Sequence, residues 1–152
     1  MTSKKITSVE FSRPLIVDRV PRKGSHEVFE ADETERTRLA TRFALPQLHK
    51  LSARLLAMPW RGGGLKVTGT VEADVTRVSV VSLEEFRQTT SFQVERFFLT
   101  ANKIDESIED DADPIVNGEV DLGEIVSEAL GLELDPYPRK PGEVFAAEPE
   151  NP

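Results

Sequence analysis

Cysteine is absent from the 152 residues, and histidine occurs only at His26 and His49. These absences exclude disulfides, thiol nucleophiles and thiolate-ligated zinc, and they leave only His26 and His49 to supply imidazole, so structural zinc is not expected. No apolar run approaches the roughly 18 residues of a membrane-crossing helix. The lysines of "MTSKKITSVEFSRP" are not followed by the apolar segment of a secretory leader. The expected setting is therefore cytoplasmic, with no membrane association. Aromatics are sparse at 7%, and Trp60 and Tyr137 are single examples of their kind. Charge is plentiful, at 30% of residues and −8 net, and it is unevenly placed. Residues 1–66 hold 13 Lys/Arg against 7 Asp/Glu, a balance of +6, whereas residues 67–152 hold 6 against 20, a balance of −14. If folding preserves that polarity, one face suits nucleic acid and another suits a basic protein.

The length predicts a single domain over residues 1–142. The polar, proline-containing ending "EVFAAEPENP", residues 143–152, is predicted to be a disordered tail. Near the start, "VEFSRPLIVDRV" alternates around Pro14 and reads as an edge strand with a break. A basic turn "PRKGS" follows. Asp32 then caps a helix near 32–44, with Glu35 as its capping-box partner and Leu39, Ala40 and Phe43 as its apolar stripe. "QLHKLSARLLAM" fits either period and is read as a strand because of what comes after it. "RGGG" is a hairpin tip, and from Leu65 to Val75 every odd position is apolar or Gly while the even positions are polar. Leu65, Val67, Val71, Ala73 and Val75 are the predicted core residues. The apolar parity shifts to Val78 and Val80, which predicts a bulge near Thr76–Arg77 and a strand reaching Val81. "SLEEFRQ" reads as a connection, "TTSFQVERFFLT" as a returning strand, and "ANKIDESIEDDADPIVNG" as an acidic loop. Asp121 caps a second helix, with Glu124 at its third position. Leu122, Ile125, Val126, Ala129 and Leu130 lie on one face of it, and Gly131 is the predicted C-cap. The fold class is α+β: an antiparallel meander or partly closed barrel of about four to six strands with two main helices.

Catalytic constellations find little support. "RGGGLK" lacks the G-x-x-x-x-G-K-[ST] spacing of a phosphate loop. The acidic run "DESIEDDADP" lacks the glycine-centred Ca²⁺ loop pattern. Neither histidine has a sequence neighbour that makes a nucleophile–base pair. No cofactor, no metal and no enzymatic activity are expected. A Mg²⁺-dependent RNA-processing enzyme using the 105–113 carboxylates is the outlying alternative. The proline-rich "DPYPRKPG" is read as an extended strip presenting Tyr137, Arg139 and Lys140, either a binding strip or a rigid chain exit.

"GEVDLGEIVSEALGLELDPYPRKPG", together with "VTGTVEADVTRVSVVSLEEF", resembles the YceD family of large ribosomal RNA subunit accumulation proteins in an alphaproteobacterial-like form. Members often carry a cysteine where this chain has Ser79, and many end in a cysteine-bearing tail. This chain departs from both features, so no metal is carried over. The resemblance implies a part in the accumulation or processing of large-subunit ribosomal RNA, with no enzymatic chemistry to transfer. Two partners fit: ribosomal RNA, held by Arg13, Arg19, Arg22 and Lys23 with Trp60, Arg61, Tyr137, Arg139 and Lys140, and extended by Arg54 and Lys66; or a basic ribosomal protein or assembly factor, received by the acidic half in a chaperone-like manner. DNA is not expected as a partner.

Overall fold

The computed structural model describes residues 10–100 and 112–143. Most of the expected acidic loop, 101–111, and nearly all of the expected tail, from residue 144 on, lie outside the described residues.

The period-two segment forms the centre of the molecule. Strand β3, Gln47–Trp60, turns through Arg61–Gly63 into β4, Gly64–Val78, and β4 returns as β5, Glu85–Leu99. All three pair antiparallel. The tip needs left-handed backbone at consecutive positions, with φ of 43°, 52° and 98° at Arg61, Gly62 and Gly63, and two of the three residues are the glycines that adopt it without strain. β2, Ser25–Glu30, adds antiparallel to β3, and the short β6, Ala112–Pro114, adds parallel to β5. The five-stranded order β2-β3-β4-β5-β6 leaves the two ends unjoined, so the sheet is open rather than barrel-like. A separate two-stranded ribbon joins β1, Pro14–Ile16, to β7, Glu119–Asp121. Helix α1 spans Glu33–Arg42 and α2 spans Leu122–Glu133.

One face of the sheet is dry. Leu51, Ala53, Leu55 and Ala57 of β3, Leu65, Val67, Val71, Ala73 and Val75 of β4, and Val94 and Phe98 of β5 share one core with Leu39 of α1 and Leu122, Ile125, Val126 and Leu130 of α2. Both helices cover this inner face. The outer face carries no helix among the described residues, and Val28 on it is 72% exposed.

The capping box of α1 forms as the sequence implies, with Glu35 N donating to Asp32 Oδ1 and Asp32 N donating to Glu35 Oε1, both at 2.8 Å. Asp121 caps α2 by accepting from Gly123 N at 3.0 Å and Glu124 N at 3.3 Å. It also accepts from Arg13 N and Ser12 Oγ, each at 2.7 Å. The helix start therefore anchors the N-terminal segment as well.

Several expectations are corrected. The predicted parity shift after Val75 does not occur: Arg77 is 9% exposed and Ser79 0%, while Val78 is 39% exposed. The buried odd positions continue with most of their polar groups partnered, Arg77 Nη1 being buried without a hydrogen bond among the described residues. Arg77 Nη2 donates to Asp135 O at 2.6 Å, and Ser79 Oγ accepts from Val81 N and Ser82 N. The register irregularity lies instead between Leu48 and Lys50, and β4 ends at Val78 rather than Val81. Glu85–Gln88 belong to β5, which shortens the connection to residues 79–84. The broken edge strand around Pro14 becomes β1 of the ribbon followed by a 3-10 turn, Val17–Arg19. Pro14 tolerates the first ribbon position, where it begins the strand. Ser25–Glu30 is a strand that sequence reading missed, Ala112–Pro114 is a strand inside the expected loop, and Glu119–Asp121 is a strand directly after it. Gly131 is not a cap; α2 runs on to Glu133, and a Cβ at Gly131 would press on the Phe43 ring.

Candidate nucleic-acid interface

The hairpin register decides which residues meet at the Gly62–Gly63 end of the outer face. Met58 pairs with Lys66, and Lys66 pairs with Phe97, so the three form one row across β3, β4 and β5. Trp60 lies two residues beyond Met58 on the same face. Its ring meets Phe97 with centroids 4.7 Å apart and planes tilted by 45°. Two cations flank the pair: Arg61 Cζ lies 4.7 Å from the Trp60 ring centre, and Lys66 Nζ lies 5.7 Å from that of Phe97. Each sits within the range of a cation–π contact.

A second basic element reaches the same end. The turn Pro21–Gly24 closes through Gly24 N donating to Pro21 O at 2.8 Å, and Ser25 then pairs with Ala57. Gly24 has φ of 95°, and a Cβ there would collide with the Met58 sulfur, so the turn lies directly against β3. Arg22 and Lys23 are exposed on it and form no ion pair among the described residues. Arg19, also exposed, ends the 3-10 turn two residues before Pro21. Two rows further along the outer face, Arg54 stands between Val28 and Thr70. Glu95, opposite Thr68, is the carboxylate within this part of the face. The arrangement offers aromatic faces for stacking with cations set around them, which suits single-stranded nucleic acid.

The other sequence-derived candidates lie elsewhere. Arg13 is engaged by Glu35, to which Nη1 and Nη2 donate at 2.7 and 3.0 Å, and by Glu30 O. It also covers the Phe11 ring at 4.9 Å and the Phe29 ring at 5.8 Å. The bidentate guanidinium, acting first through its hydrogen bonds, holds the Glu35 carboxyl below its ordinary value. Tyr137, Arg139 and Lys140 lie by the Val78 end of β4, roughly 45 Å along the strand from the hairpin tip at about 3.3 Å per residue. There, Val80 N donates to Pro138 O at 2.9 Å and Lys140 pairs with Glu84, so the strip is docked on the 79–84 turn. Tyr137 is 67% exposed and Arg139 is exposed. The nine candidate residues are thus divided: Arg19, Arg22, Lys23, Trp60 and Arg61 belong to the hairpin end of the chain's architecture, and the rest do not. Phe97 and Met58 were missed by sequence reading. Register pairing to the hairpin was the signal that would have placed Phe97 beside Lys66.

His49 Nε2 lies 2.7 Å from Thr76 Oγ1, while His26 is on the outer face. Among the described residues no group of three or more His, Cys, Asp or Glu is arranged to hold a metal ion, and no helix is long and apolar enough to cross a membrane. Asp113, the described member of the 105–113 carboxylates, is paired with Arg96 at 2.6 Å.

A family model described as "Large ribosomal RNA subunit accumulation protein YceD" matches residues 67–152. Comparison with curated proteins and with solved structures gave no match. The matched region takes in β4 from its fourth residue, β5 with Phe97, α2 and the 135–142 strip. It covers more than half of the chain, which therefore belongs to the YceD family of large ribosomal RNA subunit accumulation proteins.

Proposed function

We propose that the protein supports accumulation of large-subunit ribosomal RNA without catalysis, in the cytoplasm, by holding a single-stranded RNA segment across the hairpin end of its open sheet. The observation that carries this reading is the Trp60–Phe97 pair flanked by Arg61 and Lys66 and approached by the Arg22–Lys23 turn. Bases stack on the exposed parts of the two rings, at about 1–3 kcal/mol per base. Cations around the rings follow the phosphates, and the excess negative charge of residues 67–152 disfavours other approaches to the chain.

Reversing Arg22, Lys23 and Lys66 to Glu should weaken binding of a single-stranded ribosomal RNA fragment and flatten its salt dependence, by about 0.7 in log–log slope per lost phosphate contact. Trp60→Ala should weaken binding about tenfold with the slope kept, because stacking carries no counterions. Arg139→Ala with Lys140→Ala should bind as the parent does. Fluorescence titration over a salt series reads all three, with thermal melts to confirm folding. Unchanged affinity in the folded charge-reversed protein would refute the reading.

A further inference from the structure

The geometry points to a second binding surface, independent of the RNA reading: a groove that takes a cationic peptide segment of a partner protein, seating an apolar side chain on its floor and an Arg or Lys against Glu124. The groove lies between the β1–β7 ribbon and the edge of the sheet beside α2, and its volume is about 740 Å³, within the usual range for ligand clefts. Phe98, Val120 and Ile125 contribute to its floor, and Val116 on its wall is 62% exposed.

Charge argues for a cationic occupant. Four carboxylates line the groove, those of Glu119, Asp121, Glu124 and Glu128, against two guanidinium groups, those of Arg38 and Arg96. Arg96 is already satisfied by Asp113 at 2.6 Å and Glu128 at 3.0 Å, and Asp121 is consumed by the helix cap and the N-terminal segment. Glu119 and Glu124 keep unused acceptor capacity. Glu124 is the more telling: its Oε1 is buried without a hydrogen-bond partner among the described residues, and its Oε2 is 3.9 Å from Arg42. Burial raises its pKa above the ordinary value, consistent with a carboxylate short of donors. The Glu124 side chain as a whole is 32% exposed, so a guanidinium or ammonium from a partner pairs with its carboxylate from the open side of the groove, and charge-assisted bonds of this kind are among the strongest available. Phosphates are repelled by the same rim, which separates this surface from the hairpin end.

The test uses the full chain and a short fluorescent peptide of alternating leucine and arginine, read by anisotropy. Glu124→Gln combined with Glu119→Gln should weaken binding by about tenfold or more, whereas Glu72→Gln on the outer face should change it less than twofold. Glu124→Gln alone should melt close to the parent, since the side chain is 32% exposed and its ion pair with Arg42 is long at 3.9 Å. Equal weakening by Glu72→Gln would reduce the effect to net charge and overturn the proposal. Tenfold tightening on Lys4→Gln with Lys5→Gln, abolished by Glu124→Gln, would assign the groove to the chain's own N-terminal segment. A concentration-dependent dimer lost in Glu124→Gln would assign it to a second copy; either result contradicts a partner peptide.

Discussion

Val71→Asp is expected to abolish folding. Val71 is 0% exposed at the middle of β4, with Ala53 and Phe92 as its register partners on either side. No basic side chain lies among the buried residues around it that could pair with a carboxylate, since the core cluster there is wholly apolar. A buried carboxyl group without partners costs several kcal/mol, whether it stays charged or takes up a proton to become neutral. Against a typical stability of about 5–15 kcal/mol, that cost together with lost packing removes most of the margin. Circular dichroism and a thermal melt read the outcome. The adjacent change Glu72→Lys should leave the melt within about 0.5 kcal/mol of the parent, because Glu72 faces water. A cooperative melt for Val71→Asp would mean that the two faces of β4 have been exchanged.

Gly69→Ala should be the most damaging single-methyl addition in the sheet. Gly69 occupies an inward position of β4 between Val67 and Val71, with Leu55 and Val94 as cross-strand partners. A Cβ there would run into the Arg54 carbonyl oxygen and the Leu55 Cα, which are backbone atoms that cannot rotate away. Relief requires β3 and β4 to separate, breaking ladder hydrogen bonds near the centre of their long antiparallel pairing. The expected cost is about 3 kcal/mol, combining overpacking with backbone strain. Denaturant melts of Gly69→Ala beside Gly118→Ala make the comparison, since a Cβ at Gly118 meets nothing within 4 Å. Gly69→Ala as stable as the parent would mean that β3 and β4 can move apart at this point without loss.

How much of this was legible depended on whether a segment's structure is fixed by its neighbours in sequence or by distant partners. The Leu65–Val75 alternation was readable because each residue of an amphipathic strand reports its own face. The same rule misread Val78 and Val80, since the burial of Arg77 is decided by a carbonyl at Asp135, 58 positions away. Ser25–Glu30 escaped notice for a related reason: its inward Glu27 is held by Ser25 Oγ, while its outward Val28 is apolar, so the polarity pattern is blurred. Ala112–Pro114 is only three residues long and exists as a strand through its pairing with β5. The candidate interface was legible as a set of cations and one tryptophan, yet not as a surface. Nothing local joins Phe97 to Trp60 or brings the Pro21–Gly24 turn against Met58; the β2–β3–β4–β5 register does both. The same register keeps the Tyr137–Lys140 strip at the far end of β4, separating residues that composition alone had grouped.

Ultraviolet cross-linking of the full chain to RNA in cell extract, followed by mapping of the adduct to peptides, tests the central claim most directly. Aromatic rings that stack on bases are the groups placed to react. The expected result is a large-subunit ribosomal RNA adduct on the peptides carrying Trp60 and Phe97, lost in Trp60→Ala. An adduct confined to the Tyr137 peptide, or cross-links to protein with none to RNA, would contradict binding at the hairpin end.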